Sequence, residues 1–274
     1  MSGIAGILPR QQGRPTAAAD IQQMLARMRH RARDGSSWWM DTTAPPGAAL
    51  GHAWLNTTDE AGPGPLTMAG GKLAITADCR LDNREELLAR LGIRDSSLAD
   101  GSLLMRAYLR WGEACPTYLQ GDFAFAIWDS ERQTLFCARD HFGVKPFYYH
   151  ADDQGFIFAS EIGPILGVGG AGARLSEHQI SGFLAGLPDD PQSTPYTDIF
   201  RLPARHSLTV SDSQVVLRRY WQIEPSPRPM RSDAAEEFRH LFSQSVRNRM
   251  RGTPAVGAML SGGCLLYTSD AADE

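Results

Sequence analysis

Residues 121–140, GDFAFAIWDSERQTLFCARD, carry the densest strand signal in the chain. Phe123, Phe125 and Ile127 alternate with Ala124 and Ala126. A period of two with bulk on one face and small side chains on the other suits a strand pressed between two layers. A second apolar run, 133–140, follows the DSER stretch at 129–132, and the two predict a hairpin.

Reading outward from this hairpin extends the pattern. PFYYHADDQGFIFAS at 146–160 predicts a second hairpin turning at 151–155, and 206–212 and 215–221 predict further strands. Upstream, GIAGIL at 3–8, GAALGHAWL at 47–55 and KLAITADCRL at 72–81 read as strands. Helical spacing of Ile21, Met24, Leu25 and Met28 predicts a helix over 17–31, ended by RDGSS at 33–37. Two more helices are expected at 83–91 and 102–112, and another over 176–186. Trp38 and Trp39 read equally as an exposed docking patch or as aromatics buried where a helix crosses to a strand. Hairpins interleaved with helix pairs predict an α+β fold of two sheets covered by helices.

Composition limits the function classes. The chain has 274 residues, 42% apolar and 21% charged, with a net charge of −4. That is an ordinary globular balance with no basic track for a phosphate backbone, so nucleic acid is not an expected partner. The densest basic cluster, MRHRAR at 28–33, is expected to end a helix at the negative end of its dipole. No signal peptide and no long apolar run is evident, which predicts a cytoplasmic protein with no membrane partner. Cys79, Cys115, Cys137 and Cys264 show no C-x-x-C pairing, so they are expected to be reduced thiols and no metal site is expected.

The strands end near residue 222, and the proline-rich stretch 223–231 reads as a linker. A fresh helix is expected from 232, with Phe238, Leu241, Phe242 and Val246 on one face. PAVGAMLSGG at 254–263 reads as a strand entering a glycine turn. One helix and one strand cannot complete a core, so 232–263 is expected to begin a larger domain.

Ten ordered landmarks now allow a family comparison. MSGIAGIL, MRHRARDG, LGHAWL, ADCRLDNREEL, LQGDFAFAIWD, CARDHFGVKPFYY, FASEI, RLPARHSL, RRYW and GAMLSGG together resemble glutamine-dependent asparagine synthetases. The resemblance covers residues 1–263. It implies a type-2 glutamine amidotransferase domain over 1–222, with the four-layer αββα fold of N-terminal-nucleophile hydrolases. It implies that 232–263 opens an α/β synthetase domain of the ATP-pyrophosphatase type, which adenylates a carboxylate and lets an amine attack it. The stretch 264–274, CLLYTSDAADE, departs from the pattern and reads as a non-native tail.

The departures from the family pattern fall on its glutamine site. Ser2 stands where the resemblance places the nucleophilic cysteine. A terminal amine can serve as base for its own side chain, but a serine depends on that base more than a thiol does. Trp54 replaces the arginine expected to clamp the substrate carboxylate, and indole cannot make that two-pronged pair. Asp78 and Cys79, followed by Arg80, replace the Asn-Gly pair expected to supply the oxyanion donors. A carboxylate there opposes the developing negative charge, and losing one such donor costs about 3 kcal/mol in a well-studied protease. Asp100 matches the acidic residue expected before the second helix. Glutamine hydrolysis is therefore expected to be lost.

Leu260, Ser261, Gly262 and Gly263 resemble the start of a pyrophosphate loop, whose bare glycines let backbone amides approach phosphate. Leu265 stands where a metal-facing aspartate is expected. ATP and magnesium are thus expected for a full-length protein and poorly held by this chain. The expected partners are a small-molecule or peptide carboxylate substrate and a C-terminal synthetase domain, with a homodimer also compatible. Two specific readings compete within and outside this class: a lasso peptide macrolactam cyclase, which needs no ammonia, and a standalone Ser2 amidohydrolase. Asp140, His141, Arg139 and His52 are expected to serve turns and packing.

Overall fold

The computed structural model describes residues 1–10, 13, 16–43, 47–56, 62–169, 172–187, 190–212, 214–225, 233–252, 255 and 257. Two six-stranded antiparallel sheets form the centre. The first contains β1 (Gly3–Pro9), β2 (Gly35–Met40) and β3 (Ala49–Trp54). The second begins with β4 (Leu66–Met68), β5 (Leu73–Leu81), β6 (Gly121–Asp129) and β7 (Thr134–Arg139). The chain then returns to the first sheet with β8 (Tyr148–Ala151), β9 (Gly155–Ala159) and β10 (Phe200–Arg201). It closes the second with β11 (His206–Val210) and β12 (Val215–Arg219). The strand orders are β10-β8-β9-β1-β3-β2 and β12-β11-β7-β6-β5-β4.

Strand alternation sorts side chains into three cores. Phe123, Phe125 and Ile127 of β6 pack outward under α2 (Arg84–Leu91) and α3 (Asp100–Trp111), with Leu103, Leu104 and Tyr108. Ala124, Ala126 and Trp128 face the other way, into the gap between the sheets, with Ile4, Phe156 and Phe158. On the far side, α1 (Ala18–Arg27) sets Ile21, Met24 and Leu25 against Ala5, Ala49 and Ala53, joined by Ile165 of α4 (Ile162–Gly167). Helix, sheet, sheet, helix is the four-layer αββα arrangement. β1 lies mid-sheet between β9 and β3, and Gly6 leaves room there for the Phe158 ring, which a Cβ would meet at 2.2 Å.

Local corrections have clear physical causes. The first helix stops at Arg27, short of the expected 31, because Met28–Arg31 continue as turns. Residues 35–40, read as a helix stop and crossover, instead form the edge strand β2 against β3, with Trp38 exposed and Trp39 packed on the inter-sheet core. The expected 176–186 helix is α5 (Glu177–Leu184), capped by the Ser176 hydroxyl, which accepts from the Gln179 N–H.

Contacts divide the chain into two units, Met1–Met230 and Arg231–Glu274. In the second, α6 (Ala234–Arg249) is the described element, and Phe238, Leu241, Phe242 and Val246 on it are exposed. Leu260, Ser261, Gly262, Gly263 and the 264–274 stretch lie outside the described residues. No helix among the described residues is long and apolar enough to cross a membrane.

Candidate functional site at the first strand

The site forms where β1 begins. Gly3 pairs with Ala53, which places Ser2 at the Trp54 end of β3. The Ser2 Oγ accepts from the Leu55 N–H at 3.2 Å and lies 3.5 Å from the Leu55 carbonyl. Arg31 Nη1 donates to the Ser2 carbonyl at 3.2 Å, while its Nε bonds Glu161. His30 also meets Glu161, at 2.8 Å. The basic cluster at 28–33 therefore does more than end a helix: Arg31 anchors the backbone of the first strand's start.

A cavity of about 390 Å³ opens beside Ser2, within the size range of small-molecule sites. Ser2, Trp54, Asp78, Cys79, Arg80 and Asp100 all line it, so the fold brings together every candidate from the first unit. Their roles differ from one another. Trp54 lies along the bare backbone of Gly35, where a Cβ would come within 2.4 Å of the indole, and Gly35 holds φ +144°. The ring is thereby accommodated at the wall, and the cavity stays open.

Asp78 is buried and pairs with Lys145 at 2.7 Å. Burial, the larger effect, raises the Asp78 carboxyl above its ordinary pKa, and Lys145 pulls the other way. Lys145 is delivered by a turn that the sequence reading assigned to structure. Asp140 accepts from the N–H groups of Phe142, Val144 and Lys145, each at 3.0 Å. Arg139 donates to the carbonyls of Lys145, Leu202 and Gly143 at 2.6–2.8 Å.

Asp100 lines the cavity with its carboxylate already engaged. Arg84 Nη1 bonds one oxygen, and the Leu81 N–H donates to the other at 2.8 Å. The same guanidinium reaches the carbonyls of Ser96 and Leu98. The acidic residue is thus tied into the β5–α3 junction. Arg80 lies 3.9 Å from Asp82 and opposite Asp122 in the β5–β6 ladder. His52 is buried, and burial lowers its pKa to about 4, so its imidazole is neutral near pH 7.

Sequence reasoning missed Lys145, Arg31 and Arg84 as members of the site. Lys145 sits 67 positions from Asp78. Its place inside GVKPFYY marked a turn, and no spacing rule links a turn lysine to a strand carboxylate. The charge of Arg84 within NREEL was legible, but nothing along the chain pairs it with Asp100, 16 positions away.

A glutamine amidotransferase domain family matches residues 1–221. Asparagine synthetase [glutamine-hydrolyzing] 3 of Bacillus subtilis is 32% identical over 96% of this chain and 44% of its own length. Putative asparagine synthetase [glutamine-hydrolyzing] 2 of Methanocaldococcus jannaschii is 28% identical over 96% of this chain and 55% of its own. The chain spans about half the length of these curated relatives. Among solved structures, the glutamine phosphoribosylpyrophosphate amidotransferase of B. subtilis superposes with a TM-score of 0.58. It is 17% identical over 81% of this chain and 50% of that one, a likeness of fold alone.

Proposed function

Because the chain belongs to the glutamine amidotransferase domain family, in the form carried by asparagine synthetases, we propose a specific role for it. It is the amino-terminal part of an ATP-dependent amide ligase whose glutaminase centre has been retired. The observation that carries this reading is the buried Asp78–Lys145 pair beside Ser2. An oxyanion site needs neutral donors aimed at developing negative charge. A carboxylate locked to a lysine offers the opposite at that place, and Trp54 removes the carboxylate clamp.

In this reading the longer protein activates a carboxylate with ATP and magnesium and joins it to an amine without drawing ammonia from glutamine. An internal amine, as in macrolactam closure of a peptide, is the acceptor that leaves a glutaminase idle. Leu260–Gly263 would open the phosphate loop. Ser2 then serves the fold: its hydroxyl and carbonyl tie the start of β1 to Leu55 and Arg31.

Two assays test the proposal. Ammonia release from glutamine by the Met1-processed chain should stay at background, and Ser2→Cys, processed in the same way, should not restore it, since clamp and donors are still missing. Turnover of about 1 per second, ordinary for an enzyme, would overturn the retired centre and favour a Ser2 amidohydrolase. The full-length protein should convert ATP to AMP and pyrophosphate with a carboxylate and an amine, without glutamine. Absence of pyrophosphate across candidate peptide substrates would overturn the ligase assignment.

A further inference from the structure

One sheet ends in β10 and β2, the other in β12 and β4. β10 and β4 are short, Phe200–Arg201 and Leu66–Met68, and β12 finishes on Arg218 and Arg219. Shortness and charge both blunt a strand edge against pairing with another chain. β2 has neither guard. Its six residues, GSSWWM over Gly35–Met40, include no charged side chain and no proline.

Register defines which backbone groups of β2 are open. The Asp41 N–H donates to the Ala48 carbonyl at 2.8 Å, in line with the pairing of Ser37 to His52 and Trp39 to Leu50. Bonded and unbonded pairs alternate along an antiparallel ladder, so Ser37 and Trp39 direct their backbone groups to β3. Ser36, Trp38 and Met40 turn their N–H and C=O groups outward, where no strand lies among the described residues. Their side chains share one face of the sheet, on which Trp38 is 39% exposed.

We infer that β2 is a dimerisation edge, at which β2 of a second copy adds antiparallel about a two-fold axis at Trp38. In that register Trp38 meets Trp38 and Ser36 meets Met40, so each of these outward N–H groups finds a carbonyl. The paired indoles add an aromatic cross-strand contact. Asp34 falls opposite Thr42 of the second copy and Asp41 opposite its Gly35, so no carboxylate opposes another. A foreign extended peptide would meet the same backbone, but strand addition takes its specificity from side-chain pockets. No residue of β2 lines the cavity beside Ser2. The inference rests on sheet geometry and is independent of the glutaminase and ligase readings.

Sedimentation velocity of the full 274-residue chain should show a reversible dimer with a Kd of about 50 µM, in keeping with a small interface. Trp38→Lys and Trp38→Glu should each weaken association at least about tenfold, because like charges then stand directly opposite. Mixed in equal amounts, the two variants should associate more tightly than either alone, an outcome that requires residue 38 to face its own copy. If a variant does not fold, amide exchange of the wild type decides. Protection of the Ser36, Trp38 and Met40 amides should then rise with protein concentration. The inference is overturned by a monomer at about 500 µM, by a dimer that both substitutions leave intact, by no gain on mixing, or by exchange at those three amides that ignores concentration.

Discussion

His52 is 7% exposed, and neither of its ring nitrogens is hydrogen-bonded among the described residues. Burial lowers its pKa to about 4 from 6.5. Between these values the unfolded chain binds a proton that the folded chain refuses, so stability falls as pH falls through this window. Between pH 7 and 5 the loss amounts to about 2 kcal/mol. Asp78 has the opposite sign: its raised carboxyl takes up a proton more readily when folded, so acidification favours the fold through that group. Comparing variants isolates the histidine. Urea denaturation of His52→Leu should show a flatter loss of stability from pH 7 to 5 than the wild type. It should also show no deficit at pH 7, where the wild type buries two unpartnered ring nitrogens. Parallel pH profiles would remove His52 as the acid-sensitive group.

At the scale of elements, β6 does the most structural work, because each face supplies a different core. Phe125 is fully buried under α3 beside Phe136, and Ala126 is fully buried between the sheets. Phe125→Ala should cost about 3–5 kcal/mol by leaving a cavity. Ala126→Leu should cost about 1–3 kcal/mol for the opposite reason, overpacking a gap sized for a methyl group. Equilibrium denaturation reads both, and a neutral Ala126→Leu would mean that the sheets separate more easily than their packing indicates. β2 shows the other extreme. Its edge position exposes Trp38 and tucks Trp39 against the inter-sheet core, an assignment set by pairing with β3 and not by local propensity.

For the whole molecule, the boundary near residue 230 is the testable feature. Both sheets and all three cores fall within Met1–Met230. A chain ending after residue 225 should therefore unfold in a single transition with a melting temperature within about 2 °C of the intact chain, about what 1 kcal/mol removes from a domain of this size. A larger drop, followed by calorimetry, would show that the second unit contributes to the first one's stability. The curated relatives are about twice as long as this chain, and Phe238, Leu241, Phe242 and Val246 of α6 are exposed.

The periodicities of β5–β9, α1 and α3 were legible because alternation and helical spacing are local consequences of backbone geometry. GDFAFAIWD announced a two-layer strand, and the ordered motifs announced the fold family. Ser2, Trp54, Asp78, Cys79, Arg80 and Asp100 do converge on one cavity. Only the tertiary structure decided what each does there. Asp78 meets Lys145 across 67 positions, Asp100 is taken by Arg84, Arg31 holds the first strand, and Trp54 rests on Gly35. Charge pairing and close packing depend on distances in space, and those are set by how the two sheets face each other. A pattern along the chain can nominate residues for a site, but it carries no record of which oxygen faces which nitrogen.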